Sequence, residues 1–395
     1  MSFPSDSSRQ GDEAGAFQAG RVLALSVCHF IHDVYSSFLA PLLPLIIEKL
    51  SLTLTQAGFL STIMQIPALL NPYLGSLADR INFRYFVILA PALTAVPMSL
   101  IGLAPSYGVL LLLLFTTGIS VSVFHVPTPT LIARFAGPYK GKGMSWFMTG
   151  GELARTIGPL VAVGAVTLLG LEGFYPIMTF GLLTSVWLFV SLRQVPMSGT
   201  RTARTSVRGV WQETKHVMIP LIAILWARGF MHACMTAFLP TFIEQQTGNL
   251  WTGGLSLALF EAAGVAGVMA AGPLSDRNGR RRVLFVSLVC APISLLFVTL
   301  VGGWWRYVFL LITGFSLLST TPVMLALVQE HAGQNPSAAN GWYMMVSFLA
   351  RSAVVVLVGL MGDLIGLQAA YFISAGLGFL GIPFVWMLPA RKASR

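Results

Sequence analysis

Long runs without a charged side chain are the feature of this sequence that most restricts its fold. No Asp, Glu, Lys or Arg occurs in 85–133, and similar runs cover 50–78, 283–305, 307–329 and 364–390. An α-helix needs about 20 predominantly apolar residues to cross a bilayer, so the first of these runs accommodates two crossings. Only 10% of all residues are charged, against about 25% in soluble proteins. The chain is therefore predicted to be an all-α membrane protein.

Apolar length, together with Gly, Pro and charged residues at the boundaries, divides the chain into twelve spans, numbered 1 to 12 in chain order. They are predicted at 21–47, 54–78, 84–103, 107–133, 143–169, 173–192, 218–244, 251–274, 282–302, 305–329, 338–362 and 366–388. A polar linker at 193–217 separates two six-helix bundles, 21–192 and 218–388, and short tails lie at 1–20 and 389–395.

The basic residues lie almost entirely on one side of the predicted spans. With the N-terminus placed in the cytoplasm, the outer loops hold only Lys49 and Arg306 of the 24 Lys and Arg residues. The positive-inside rule then predicts a multi-pass protein of a bacterial-type cytoplasmic membrane with both termini in the cytoplasm. The net charge of +10 follows from this topology, and no nucleic-acid partner is expected.

The two halves of the chain repeat each other. Residues 30–32 (Phe-Ile-His) correspond to 230–232 (Phe-Met-His), and residues 153–155 (Leu-Ala-Arg) correspond to 349–351 (Leu-Ala-Arg). The two bundles are therefore predicted to be pseudo-symmetric. Parallel repeats of this kind place a substrate site between the halves, near the middle of the membrane, and imply alternating access by rocking.

The loop between spans 8 and 9 carries a family signature. Residues 272–282, Gly-Pro-Leu-Ser-Asp-Arg-Asn-Gly-Arg-Arg-Arg, resemble the loop motif G-x-L-a-D-r-x-G-r-R of the major facilitator superfamily. A second copy at 75–84 keeps the Gly, Asp and Arg but has Asn82 and Phe83 where Gly and a basic residue are usual. The resemblance implies the major facilitator fold. It also implies a cytoplasmic gate, because an Asp at a helix end can pair with Arg and with a neighbouring helix N-terminus. The predicted gate residues are Gly75, Asp79, Arg80, Gly272, Asp276, Arg277 and Arg281.

A closer resemblance, over nearly the whole chain, is to the fosmidomycin-resistance-type branch of that superfamily. It rests on 29–33 (His-Phe-Ile-His-Asp), on 41–44 (Pro-Leu-Leu-Pro), on 124–127 (Phe-His-Val-Pro) and on the glycines and Gly-Pro pair of 150–159. Members of this branch are proton-coupled exporters. The resemblance therefore implies efflux of the antibiotic-resistance type by substrate/proton antiport, with the proton gradient as the energy source and no cofactor.

Several ionisable side chains lie within the spans, where they are costly and usually functional. The residues predicted to couple transport to protons are Asp33, His29, His32, Glu152 and Glu261. Asp33 is the leading candidate, because a carboxylate beside a histidine at low dielectric exchanges a proton near neutral pH. The alternative is that Asp33 is structurally paired and never titrates.

Arginines at equivalent positions of the two halves predict an anion site. Arg155 and Arg351 would face each other across the pseudo-twofold axis and hold a carboxylate, phosphate or phosphonate through paired hydrogen bonds. The alternative is that Arg155 pairs with Glu152 on its own helix. The predicted substrate-binding residues are Arg155, Arg351, Arg228, His125 and His232.

Together these patterns predict a proton-coupled secondary active transporter that exports a small anionic or zwitterionic organic molecule. A proton symporter that imports a carboxylate-type metabolite is the alternative within this class, and a non-transporting membrane sensor on the same fold is the alternative outside it. The sequence contains no nucleophile–base set and no metal-ligand spacing of Cys and His on one helix face, so neither an enzyme nor a metal site is expected. The expected partners are the substrate, protons and the lipid bilayer, and the chain is expected to be a monomer.

Overall fold

The computed structural model describes residues 17–71, 74, 84–192, 207–331 and 336–389. The α-helices of the first half are Ala19–Ser36, Leu39–Leu50, Leu54–Gln65, Arg84–Leu100, Tyr107–His125, Thr128–Phe135, Lys140–Leu169 and Met178–Leu192. Those of the second half are Val207–Ala233, Leu239–Thr247, Leu250–Asn278, Arg280–Leu300, Gly303–Glu330, Pro336–Ile365, Leu367–Gly378 and Ile382–Met387.

The described helices match the twelve predicted spans in order. Eleven of them, counting broken helices as one, are long and apolar enough to cross a membrane. The remaining helix, Leu54–Leu70 of span 2, is a shorter apolar helix whose last turns are of the 3-10 type. It corresponds to the part of span 2 that the structure describes. The all-α prediction is therefore confirmed.

Span 1 is interrupted near its middle, after Ser36. The hydroxyl groups of Ser36 and Ser37 donate to the carbonyls of Asp33 (3.0 Å) and Val34 (2.7 Å). Pro41 has no N–H for the carbonyl four residues before it. Side-chain bonds of this kind compete with the helical ladder, so the helix ends and restarts at this point.

Span 7 is irregular at the equivalent position. Its backbone forms a π-helix over Cys234–Phe238, Pro240 follows directly, and the Thr236 hydroxyl donates to the His232 carbonyl at 2.8 Å. Single π-helical turns of this kind are frequent at functional sites. The internal repeat thus extends to a break in the first span of each half.

Span 4 differs from its prediction as one continuous helix over 107–133. The helix ends at His125, and a separate short helix, Thr128–Phe135, follows. Pro127 is the physical reason, because it has no backbone N–H to continue the helical hydrogen bonds. His125 therefore stands at a helix end, where its ring can turn toward span 1.

Span 7 also begins earlier than predicted. Its helix starts at Val207, within the segment 193–217 that the sequence predicts as a linker. Residues 193–206 lie outside the described part of the chain. The charged residues at the start of this helix, such as Glu213 and Lys215, are exposed, so polarity alone is a poor guide to where the helix begins.

The buried apolar side chains form three clusters, and their distribution defines two ends of the molecule. The terminal end is the one at which the described chain begins and finishes, and the distal end is opposite. One cluster joins both halves and includes Phe38, Phe238 and Val355. The other two clusters each lie within one half at the terminal end, around Phe135 and around Met218. The halves therefore pack together toward the distal end and have separate cores toward the terminal end.

Hydrogen bonds between the halves support the same arrangement. The carboxylate of Asp363, at the end of span 11, accepts from the backbone N–H groups of Leu54 (2.6 Å) and Thr55 (2.8 Å) and from the Thr55 hydroxyl. Deeper in the same interface, the Thr62 hydroxyl donates to the Ser352 carbonyl at 2.9 Å. Asp363 thus caps the helix of span 2 across the interface, and sequence analysis did not single it out.

Spans 3, 6, 9 and 12 carry no charged residue away from their ends. In the structure these helices present large apolar side chains outward, with exposures of 49% for Leu89, 63% for Val190, 56% for Val286 and 59% for Leu380. Surfaces this apolar are stable only against lipid. The charged side chains that lie within spans are on other helices and face the interior.

Candidate functional site

Three histidines surround Asp33 in the first half of the molecule. Nε2 of His29 lies 3.2 Å from Oδ2 of Asp33, Nδ1 of His32 lies 2.8 Å from Oδ1, and Nε2 of His125 lies 3.5 Å from Oδ1. We call these four residues the histidine–aspartate cluster. His29 and His32 come from span 1, while His125 comes from the end of span 4.

Backbone and ring contacts fix the orientation of the cluster. Nδ1 of His29 donates to the carbonyl of Phe147 in span 5 at 2.7 Å. Nδ1 of His125 donates to the carbonyl of Val121, one helical turn before it, at 3.0 Å. His32 stacks on Phe124, with 4.6 Å between ring centroids. The cluster is a rigid arrangement that holds spans 1, 4 and 5 together.

Arg155 of span 5 stands where the two halves meet. It forms an ion pair with Glu152 on its own helix, and its Nε lies 4.0 Å from Oε2 of Glu261 in span 8 of the other half. The side chain of Arg155 is half exposed, whereas Glu261 is buried. Glu261 is therefore a buried carboxylate whose nearest cation belongs to the opposite half.

A cavity of about 90 Å³ lies in the second half, and its polar lining is basic. The cationic and titratable side chains that line it are Arg228, His232, Tyr343 and Arg351. Such a volume corresponds to about three water molecules and is smaller than a typical ligand pocket of about 300–1,000 Å³. It accommodates a charged head group rather than a whole drug-sized molecule.

The two guanidinium groups of this cavity are not neutralised by the described residues. No described carboxylate lies within 4.0 Å of Arg228 or Arg351. Nε of Arg228 is buried without a hydrogen-bond partner, and its Nη2 makes only a long contact of 3.4 Å to the Leu317 carbonyl. Arg351 lies over the ring of Phe348 at 5.3 Å. One buried and one partly buried cation without a described counter-charge are suited to bind an anion.

Glu152, Arg155 and Glu261 together are called the Arg155 set. This set and the cavity belong to one electrostatic environment. Arg351 interacts electrostatically with Arg228, Arg155 and Glu261, and Glu261 is affected by Arg155, Glu152 and Arg351. The site has an acidic side, where two carboxylates flank one arginine, and a basic side with two arginines. A molecule with both an anionic group and a donor group matches this distribution of charge.

The structure refines the predicted grouping of these residues. Arg155 pairs with Glu152 on the same helix, which is the alternative that the sequence left open, and the shared anion site of Arg155 and Arg351 stays a prediction. His125, predicted as a substrate ligand, lies in the histidine–aspartate cluster. Arg228, His232 and Arg351 share one cavity. Their roles in transport and binding stay predictions.

The predicted gate is described only in its second copy. Gly75, Asp79 and Arg80 lie outside the described residues. In the second copy the gate residue Asp276 pairs with Arg280 at 2.7 Å, and Arg280 also contacts Glu330 of span 10 at 2.9 Å. These contacts hold spans 8, 9 and 10 together within one half.

The other gate residues of this copy lie at the same end of the molecule. Nη2 of Arg281 donates to the carbonyl of Trp386 in span 12 at 3.1 Å. Arg277 is exposed. A Cβ atom added at Gly272 would meet no atom within 4 Å, so crowding does not require glycine here. The described contacts of this loop lie within the second half.

A family model matches residues 25–355, and its description is Major Facilitator Superfamily. The chain belongs to this superfamily. The match covers most of both halves, including the histidine–aspartate cluster and the cavity. The Major Facilitator Superfamily consists of membrane transporters, so this chain is a multi-pass transporter of small molecules and not an enzyme.

Individual relatives and solved structures agree with this assignment. The chain is 26% identical to the fosmidomycin resistance protein of Escherichia coli (strain K12), over 92% of this chain and 91% of the relative. It is 25% identical to the multidrug resistance protein MdtG of Proteus mirabilis (strain HI4320), over 92% and 95%. The fold is similar to that of a bacterial homologue of the human lysosomal transporter Spinster in an inward-facing, occupied conformation. That likeness has a TM-score of 0.81 at 14% identity, and it covers 94% of this chain and 97% of the other.

Proposed function

We propose that this transporter is a proton-coupled exporter of the cytoplasmic membrane. Its substrate is a small organic molecule with an anionic group at one end and a cationic or hydroxyl donor at the other. The observation that carries the proposal is the cavity lined by Arg228 and Arg351, in which Arg351 interacts electrostatically with the buried carboxylate of Glu261. The names of the relatives, which refer to resistance, support the direction of transport.

The anionic group of the substrate binds in the basic cavity. Arg228 and Arg351 supply planar donors suited to the paired oxygens of a carboxylate or phosphonate. The bound anion supplies a hydrogen-bond acceptor for Nε of Arg228, which has no partner otherwise. It also neutralises the positive charge of this guanidinium group, which is costly when buried. The small cavity volume restricts this contact to the head group, so the rest of the substrate extends toward the Arg155 set.

The donor group of the substrate binds Glu261, and a proton competes for the same carboxylate. Two carboxylates and one arginine leave the Glu152–Arg155–Glu261 set with a negative charge, which a substrate donor stabilises. When Glu261 is protonated, this attraction is lost and the substrate leaves. Competition of this kind is the basis of substrate/proton antiport, since the carrier moves in each direction with only one of the two bound.

Glu261 is a better coupling residue than Asp33 for a geometric reason. The contacts described for Asp33 come from histidines within the first half, whereas Glu261 contacts an arginine of the opposite half. In alternating access the contacts between halves are the ones that change. A proton on Glu261 therefore affects the movement itself, while Asp33 moves as part of a rigid half.

The conformation is assigned as inward-facing. The halves pack together at the distal end, where Asp363 caps span 2, and have separate cores at the terminal end. In the orientation that the positive-inside rule predicts, the terminal end faces the cytoplasm. The half-exposed Arg155 is then reached from the cytoplasmic side.

The test uses purified protein in proteoliposomes with a pH-sensitive dye inside. A thermal-shift screen against phosphonate antibiotics, including fosmidomycin, and against small zwitterionic and anionic metabolites first identifies a compound that binds. Export by antiport requires that this compound drive proton movement in the opposite direction to its own. Proton movement in the same direction would identify the carboxylate symporter instead. Binding without any transport would identify a sensor.

A further inference from the structure

The histidine–aspartate cluster brings together ring nitrogens and carboxylate oxygens that could hold a metal ion. A carbonyl oxygen can only accept a hydrogen bond, so Nδ1 of His29 and Nδ1 of His125 both carry hydrogen where they contact the carbonyls of Phe147 and Val121. In a neutral imidazole the other nitrogen is then a bare lone pair. In the neutral form of both rings, each Nε2 atom is therefore an electron-pair donor.

These donors converge. The two Nε2 atoms lie 3.2 Å apart, and Asp33 places Oδ2 3.2 Å from His29 and Oδ1 3.5 Å from His125. Two neutral imidazole nitrogens and the two oxygens of one carboxylate repel one another at such distances unless a positive charge lies among them. A single proton bridges only two of these atoms, whereas a metal ion accepts an electron pair from each of the three side chains.

The spacing of the three donors fits a four-coordinate metal ion. Ligand bonds of 2.0–2.2 Å at tetrahedral angles separate neighbouring ligand atoms by about 3.3 Å. One donor atom from each of His29, Asp33 and His125 can be chosen so that all three lie within 4.8 Å of one another. Two imidazoles and one carboxylate are ligands that Zn²⁺ and its first-row neighbours accept.

The surroundings of the cluster resemble the outer shell of a metal site. Metal-binding histidines usually donate their second ring nitrogen to a carbonyl or carboxylate, which fixes the tautomer and the ring orientation. His29 and His125 both do so. His32 donates its Nδ1–H to Oδ1 of Asp33 at 2.8 Å and thereby orients the carboxylate without being a ligand.

Access to the cluster comes through His125. Its side chain is 35% exposed, against 5% for His29 and 13% for Asp33. The sequence could not indicate this set, because its ligands lie about 95 positions apart in two spans and no single helix face contains them. We propose that His29, Asp33 and His125 form a binding site for a divalent transition-metal ion, with a fourth coordination position open on the side of His125. This proposal is independent of proton coupling at Glu261.

The test measures Zn²⁺ binding directly. The protein is purified with an affinity tag that contains no histidine and in a background that lacks the histidine pair His216 and His331, whose rings lie 5.5 Å apart near the terminal end. The substitutions His216→Gln and His331→Gln remove that competing site. Isothermal titration should then show one saturable Zn²⁺ site per chain, and Co²⁺ in its place should give the visible absorption of a four-coordinate ion.

Two further variants in that background separate ligands from the positioning residue. His125→Gln should weaken Zn²⁺ binding by more than the roughly 10–100-fold that loss of an outer-shell partner costs, while His32→Asn should weaken it within that range. Asp33→Asn provides a second ligand variant, and thermal unfolding of each apo protein verifies that it is folded. Absence of saturable binding in the background protein overturns the proposal. So does unchanged affinity in both folded ligand variants.

Discussion

The substitution Glu261→Gln tests the proposed competition between proton and substrate. Glu261 is 8% exposed, so a bond from the substrate to its carboxylate is charge-assisted and little screened. Such bonds contribute about 1.5–3 kcal/mol, against about 0.5–1.5 kcal/mol for neutral ones. Glutamine retains the size of the side chain and an acceptor oxygen but removes the charge. The expected loss is about 1–2 kcal/mol, which corresponds to roughly 5–30-fold weaker substrate binding.

The same substitution should remove the effect of pH. In the wild type, acidification protonates Glu261 and weakens substrate binding, because the proton and the substrate donor use the same oxygens. Glutamine does not titrate, so the affinity of the variant should be equal at all pH values in the range where the wild type changes. Proton-driven accumulation in proteoliposomes should be lost, while exchange of labelled for unlabelled substrate continues.

Glu48→Gln is the matched control. Glu48 is an exposed carboxylate at the end of the helix Leu39–Leu50, just after span 1, and the same chemical change there should leave affinity, pH dependence and proton-driven transport at wild-type values. The assay combines titration by intrinsic fluorescence at several pH values with counterflow in proteoliposomes.

Stronger instead of weaker substrate binding in Glu261→Gln would refute the competition between proton and substrate. Nε of Arg155 lies 4.0 Å from Glu261, and two unit charges at that distance attract by about 4 kcal/mol at an effective dielectric constant of 20 and about 1 kcal/mol in water. Since Arg155 is half exposed, the lower figure applies. If the substrate bound Arg155 rather than Glu261, the substitution Glu261→Gln would remove the attraction between Glu261 and Arg155. Arg155 would then be free to bind the substrate more strongly. Tighter binding in Glu261→Gln, or in the wild type at low pH, would therefore indicate symport.

Three further predictions concern the cavity and the two ends of the molecule. Arg351→Ala and Arg228→Ala should each weaken binding of an anionic substrate by more than tenfold, as measured by titration, because each removes one guanidinium donor of the anion site. Wild-type affinity in both variants would disprove the site. Asp363→Ala removes a helix cap that contributes about 0.5–2 kcal/mol. It should therefore increase the rate at which a thiol reagent on the distal side labels a cysteine placed at Thr62, by roughly 2–30-fold. Unchanged labelling would show that other contacts close this end. Asp276→Ala should shift the protein toward the conformation that is open at the terminal end. An introduced cysteine should then react faster with a thiol reagent added on that side. Equal labelling rates in the variant and the wild type would exclude a gating role.

The helices of this protein could be predicted closely because hydropathy acts locally. A run of about 20 apolar residues must form a helix in lipid to satisfy its own backbone groups. The described residues contain eleven helices that are long enough to cross a membrane and one shorter apolar helix, Leu54–Leu70, in span 2. The differences arose where other forces apply. Pro127 ended the helix of span 4 early, and the start of span 7 at Val207 lies in polar sequence with no hydropathic boundary.

The candidate site was predictable as a set of residues but not as an arrangement. The cost of a charge in lipid singled out Asp33, Arg155 and Glu261 one by one. Which of them are partners depends on how the helices pack. The sequence assigned His125 to the substrate, yet it lies against Asp33, and it gave no sign that Asp363 would cap a helix of the other half.

The sequence alone determined that the chain crosses a membrane many times, that its halves repeat, and which ionisable residues lie within the spans. Each of these follows from the chemistry of single residues and from spacing along one helix. Only the tertiary structure decided that His29, Asp33 and His125 lie together. It also decided that the cavity of Arg228 and Arg351 lacks a described carboxylate and that Glu261 lies close to Arg155 of the other half. The physical reason is that these contacts join residues from different helices. Their distances are set by packing between helices, which no local pattern encodes.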